Sequence, residues 1–124
     1  MNLQDIDISG TDFSKADLFR CNYYKTNLIR ADFSDAVINE SSLKSAKCMR
    51  GNFRKIHMYQ VDANRTNFNN ANLMNAELQK TNLKSTQFVE ANLWGVTFHQ
   101  CIFLSDNFTK ANLDECVIKN SESP

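Results

Sequence analysis

Ala31-Asp32-Phe33-Ser34-Asp35 and Ala71-Asn72-Leu73-Met74-Asn75 are two copies of one five-residue unit: a small residue, Asn or Asp, a large apolar residue, and two mostly polar positions. Outward from either copy, the large apolar residue recurs at every fifth position from Leu3 to Ile118, 24 times if Tyr23, Cys48 and Ala63 are counted. Two residues before it the side chain is nearly always small, as at Thr11, Ala16, Cys21, Thr26 and Ala36. Asn or Asp commonly lies between, as at Asp12, Asp17, Asn22, Asn27, Asn67, Asn82, Asn92 and Asn112. A period of five fits neither the helix at 3.6 nor the strand at 2.0, so the chain must turn in some other way. One unit cannot bury its own large side chain, so the units must stack to make a continuous core.

This A(D/N)LXX pattern resembles the pentapeptide-repeat family over essentially the whole chain. The resemblance implies an all-β fold, a right-handed quadrilateral β-helix in which four pentapeptides make one square coil. About six coils of 20 residues would then form a single domain over residues 1–120, with a short tail at 121–124. At roughly 4.8 Å per rung the rod is roughly 29 Å long. The large and small residues share the interior, and the other three positions of each unit are expected to face water.

The departures are informative. Ala63 is an undersized central residue, and its neighbours Ile56 and Val61 are oversized at the small position, which conserves core volume. Asp106 puts a carboxylate at an inward position, expected to be a partly wet site in the last coil or a local bulge.

Composition narrows the chemistry. Lys and Arg number 14, as do Asp and Glu, so the formal net charge is zero. That balance argues against a dedicated nucleic-acid binder. No apolar run approaches the roughly 18 residues of a membrane span, and the first residues lack a secretory pattern, so a cytoplasmic location is expected. Cys21, Cys101 and Cys116 take small inward positions and Cys48 a large one. Cys21 and Cys101 share a face but lie four coils apart, roughly 19 Å by rung spacing. Bridged Cα atoms lie within roughly 7 Å, so these cysteines are expected to be reduced core thiols. No Cys-x-x-Cys pair suggests zinc. His57 and His99 fall on one outer face two coils apart, too far for a shared ligand. The scattered glycines make no phosphate loop, and the narrow, filled interior offers no cleft. Catalytic, cofactor and metal residues are therefore not expected, and neither is enzymatic activity.

The surface is uneven. Between Glu40 and Asp62 lie Lys44, Lys47, Arg50, Arg54 and Lys55 with no acid among them, and residues 20–65 carry nine basic against four acidic groups. Folding by twenties puts Lys25, Lys44, Arg65 and Lys84 on one face, with Arg30, Lys47 and Arg50 on the next. Such a belt suits an acidic protein surface or a phosphate backbone. The position after each core residue also holds apolar groups, including Phe19, Tyr24, Ile29, Met49, Met74 and Trp94. Met74 and Trp94 are 20 apart and should be neighbours, as should Ile29 and Met49 beside Arg30 and Arg50. Stacked hydrophobes beside arginine resemble a partner-binding patch, here assigned to Trp94, Met74, Ile29, Met49, Arg30, Arg50, Lys47 and Arg54.

The functional expectation is a non-catalytic protein–protein interaction module or scaffold with an unidentified protein partner. It needs no cofactor or membrane, and is a monomer or an end-to-end homo-oligomer. The alternative follows from the resemblance: some pentapeptide-repeat proteins bind DNA gyrase or topoisomerase IV as DNA mimics and protect against quinolones. Those relatives are longer and more acidic, with active loops and a C-terminal helix that this chain lacks.

Overall fold

The computed structural model describes residues 1–121 and contains the expected solenoid, a right-handed quadrilateral β-helix. One face carries three-residue strands, β1 (His57–Tyr59), β2 (Glu77–Gln79), β3 (Thr97–His99) and β4 (Val117–Lys119), paired in parallel in chain order. Their register is 20 residues, His57 opposite Glu77 and Glu77 opposite Thr97. On the other faces successive coils meet through single parallel bridges with the same register, such as Asn2 with Asn22, Asn27 with Lys47 and Asn52 with Asn72. We number the faces by position within each twenty: the first face holds positions 1–5, the second 6–10, the third 11–15 and the fourth 16–20.

Most units use their backbone groups in the same way, and the corners that leave the fourth face depart from it: there the Cys21 N–H donates to the Ser41 hydroxyl at 3.0 Å. The N–H of the large residue donates to the next coil (Phe33 to the Asn52 carbonyl, 2.7 Å), and the N–H of the preceding residue donates to the previous coil (Asp32 to Thr11, 2.9 Å). At the corner, the N–H of the next small residue closes a turn onto the large residue's carbonyl (Ala36 to Phe33, 3.1 Å). The fifth residue also donates to the next coil (Asp35 to the Arg54 carbonyl, 2.9 Å), which leaves the N–H just after the large residue, and the Asn or Asp side chain accepts it: Ser34 donates to Asp32 Oδ1 at 2.9 Å and Met74 to Asn72 Oδ1 at 3.0 Å. This is why Asn and Asp recur at that position, since buried or half-buried backbone donors require acceptors.

The last residue of all 24 units, from Asp5 to Asn120, has φ between 50° and 70°, in the left-handed region, and only Gly10 and Gly95 among them are glycines. The turn places its second central residue at positive φ. The whole column is polar or glycine, with no β-branched or aromatic residue, which are the types that strain most there. That regularity was present in the sequence, but the periodicity of the apolar residues alone does not reveal it.

Inside, two phenylalanine columns share the rod. Phe13, Phe33 and Phe53 stack at centroid distances of 4.9 and 5.4 Å, and Phe68, Phe88 and Phe108 stack at 5.4 and 5.0 Å in the adjacent column. The columns hand over through an edge-to-face contact between Phe53 and Phe68 at 5.2 Å. Each coil thus carries one Phe in these two columns, beside Ile8, Leu28, Cys48, Leu73, Leu93 and Leu113 in turn, which keeps the cross-section filled. Gly51 is small for a local reason: a Cβ there would run into the Phe53 ring. Ala63, Ile56 and Val61 are all buried together in the middle of the rod, as the volume exchange requires.

Two expectations change. The three outward positions are not equivalent: in the central coils the residues flanking the large one, such as Asp32, Ser34 and Met74, are mostly half-buried, and the fifth position is mostly exposed. The repeat register also runs to Ser121, whose hydroxyl accepts the Cys101 N–H at 2.8 Å. Glu122 and Pro124, expected to blunt the last edge, lie outside the described residues.

Candidate interaction surface

The interior holds few groups with chemistry of their own, and those serve the backbone. Thr26, Thr66 and Thr86 hydroxyls donate to the carbonyls of Leu3, Leu43 and Ala63 at 2.6, 2.7 and 2.9 Å, each 23 residues earlier. The Cys101 and Cys116 thiols do the same toward Leu78 and Leu93 at 3.4 and 2.9 Å. All four cysteines are free, and burial pushes the Cys48, Cys101 and Cys116 thiols up, which holds them protonated and unreactive. The small position therefore selects a hydroxyl or thiol as well as small size, a role the sequence reading missed. Asp106 occupies the same column as Thr86 and is partly buried.

The fourth face holds the histidines. His57 Nδ1 lies 3.1 Å from Glu77 Oε2, with both side chains at least half exposed. They border a shallow open depression lined also by Asn39, Tyr59 and Gln79. His99 stands on β3, two strands from the β1 that carries His57, and no group of three His, Cys, Asp or Glu side chains suited to a metal ion occurs among the described residues.

The eight residues singled out from the sequence divide into two clusters. Arg54, Met74 and Trp94 form one column on the third face, in register through the Asn52–Asn72 and Asn72–Asn92 bridges. Trp94 is 39% exposed and Met74 is half-buried beneath it. Gly95 follows Trp94 at φ 70°, and the Asn75 side chain fills the space a Cβ would take, so the turn below the indole is tightly packed. Ile29, Met49 and Lys47 lie on the second face, and Arg30 and Arg50 stack at its corner, where Arg30 N–H donates to the Met49 carbonyl at 3.1 Å. Ile29 and Met49 are half-buried and act partly as wall, while Lys47, Arg30, Arg50 and Arg54 are exposed.

A solenoid with a filled interior and a regular, charged exterior defines the class. The pentapeptide-repeat family model matches in eight copies that together span residues 2–121, and the chain belongs to that family. Among solved structures, the pentapeptide-repeat protein Rfr23 from the cyanobacterium Cyanothece 51142 aligns at 21% identity, over 95% of this chain and 91% of that one, with a TM-score of 0.57. Full-length QnrB1, a plasmid-mediated fluoroquinolone resistance protein, aligns at 21% identity over 98% of this chain and 74% of its own, with a TM-score of 0.60. No curated protein sequence matches the chain.

Proposed function

We propose that this protein is a non-catalytic scaffold that binds another protein through the third-face column of Arg54, Met74 and Trp94. The carrying observation is the 39% exposure of the only tryptophan, held over Met74 on a rung fixed by backbone bonds on both sides. A rigid ladder presents such an anchor with little entropy left to lose, and Trp and Arg are the residues that dominate binding interfaces. Four reduced thiols suit a cytoplasmic location.

The test is affinity capture from lysate of the source organism with wild-type and Trp94→Ser baits, read by mass spectrometry. A protein retained by the wild type and lost with Trp94→Ser, with the melting curve unchanged, is the expected result. If neither bait retains anything specific, or both retain the same proteins, the reading falls.

QnrB1 prompts a second reading, modulation of DNA gyrase or topoisomerase IV. Recovery of those subunits would support it. The basic middle coils run against it, because a DNA mimic presents negative charge.

A further inference from the structure

The basic cluster on the first and second faces is separate from the Trp94 column. Lys25, Arg30, Lys44, Lys47, Arg50 and Arg65 lie on these two faces or their corners in the second to fourth coils. The ion pairs among the described residues are Arg20 with Glu40 and His57 with Glu77, so none of the six is paired. Arg30 and Arg50 occupy the same corner position on adjacent rungs, whose backbones lie roughly 4.8 Å apart, so an anion bound between the two guanidiniums would relieve their mutual repulsion.

Lys47 breaks the repeat to be there. It replaces the Asn or Asp that elsewhere accepts the N–H two residues on. Where His57 and Gln87 make the same break, the rung below supplies a substitute: Asn39 Oδ1 accepts from Tyr59 at 3.0 Å and Asn69 Oδ1 from Val89 at 2.9 Å. Below Met49 stands Ile29, which cannot accept, and the Met49 N–H, like those of Phe19 and Asn39, has no acceptor among the described hydrogen bonds. The centre of the basic cluster thus offers a backbone donor between the Lys47 and Arg50 side chains, flanked by half-buried Ile29 and Met49.

We propose that this surface docks an acidic polypeptide segment that also carries apolar side chains; the proposal rests on the scaffold reading and adds a second docking face to it. Carboxylates would meet the cations and the Met49 N–H, and apolar side chains would cover Ile29 and Met49. Polypeptide is favoured over nucleic acid on three grounds. The apolar groups call for an apolar counterpart. Tyr24, the aromatic ring at the edge, has the Lys25 ammonium 5.2 Å from its centroid and is not an open stacking platform. Asp7, whose carboxylate interacts with Lys47, borders the cluster on one side, and Glu90 occupies the same corner column as Arg50, so a phosphate backbone running past the basic stretch would be repelled.

Fluorescence anisotropy tests it with three labelled probes: a short peptide alternating Glu and Leu, the same peptide with Gln for Glu, and a single-stranded DNA of equal charge. The protein variants are Arg30→Glu/Lys47→Glu/Arg50→Glu, the milder Arg30→Gln/Lys47→Asn/Arg50→Gln, and a control reversal at Lys15, Lys80 and Lys119. The milder variant restores the Asn of the repeat, so loss of binding there is not loss of fold. The expected result is tightest binding to the Glu–Leu peptide, weakened by salt, and about tenfold loss in both patch variants but not in the control. No binding of the Glu–Leu peptide, equal loss in the control, or DNA bound as tightly as the peptide would overturn it. The lysate capture with the Trp94 baits judges the scaffold reading separately. A partner retained there without peptide binding leaves the scaffold standing and ends this proposal.

Discussion

Asp106 accepts the Thr86 N–H at 2.8 Å through one carboxylate oxygen, and its other oxygen is enclosed without a partner. In the same column Thr26, Thr66 and Thr86 each donate a hydroxyl to the carbonyl 23 residues earlier. By that offset position 106 addresses the Leu83 carbonyl, and an ionised carboxylate has nothing to donate.

Burial pushes the Asp106 pKa up from 3.8 to about 6, against the opposing N–H groups of Thr86 and Leu104. A folded-state pKa above the unfolded one means that the proton favours the fold. Its contribution is complete below pH 3.8 and is lost as the pH rises through about 6. Asp7 and Asp12 act oppositely: bonds from Ser9 and Ser14 lower their pKa, and what they contribute is lost only as pH falls below 3.8. Thermal melts of the wild type should therefore lose stability between about pH 4 and 6, and Asp106→Asn should flatten that slope. Asp106→Thr should raise stability at neutral pH by about 1 kcal/mol, by adding the missing bond. An unchanged slope in Asp106→Asn would show that another group sets it.

Phe53 stacks on Phe33 and meets Phe68 edge-on, at the point where the aromatic columns exchange. Phe53→Ala should cost about 3–5 kcal/mol in denaturant melts. Phe53→Asp or Leu73→Asp should leave the chain unfolded by circular dichroism, because a charge enters a packed interior.

The Asx acceptor can be tested in both directions. Asn72→Ala removes the partner of the Met74 N–H and should cost about 1 kcal/mol. Lys47→Asn supplies one to Met49 and should stabilise by about the same amount, while weakening acidic-peptide binding. A destabilised Lys47→Asn protein would show that the lysine stem, and not the missing acceptor, dominates at that rung.

At the corners, Arg50 has φ 57°. Arg50→Val should destabilise by about 1–2 kcal/mol and Arg50→Gly should not. Gly95→Ala should also destabilise, since the new methyl group meets the Asn75 side chain. Equal melting curves for Arg50→Val and Arg50→Gly would contradict the strain argument.

Tyr23 is fully buried, its hydroxyl has no hydrogen-bond partner, and burial first, then the nearby Cys21 thiol, push its pKa up. Tyr23→Phe should therefore be neutral or stabilising by about 1 kcal/mol in thermal melts. A clear loss of stability would mean that the hydroxyl makes a bond in solution.

Much of this protein was decided by local chemistry repeated along the chain. The fifth-residue series from Leu3 to Ile118, with small residues two places before, dictates stacking, because no unit can bury its own side chain. It also dictates which side chains fill the rod. Cys21 and Cys48 were legible as core thiols on the same grounds. Tertiary structure decided what depends on the neighbouring rung. Only the 20-residue register shows that Thr66 reaches the Leu43 carbonyl, that Asn39 rescues Tyr59, and that nothing rescues Met49. Only the faces show that Trp94 and Arg50 belong to different surfaces. Those relations join residues far apart in sequence but one rung apart in space, and no five-residue period records them.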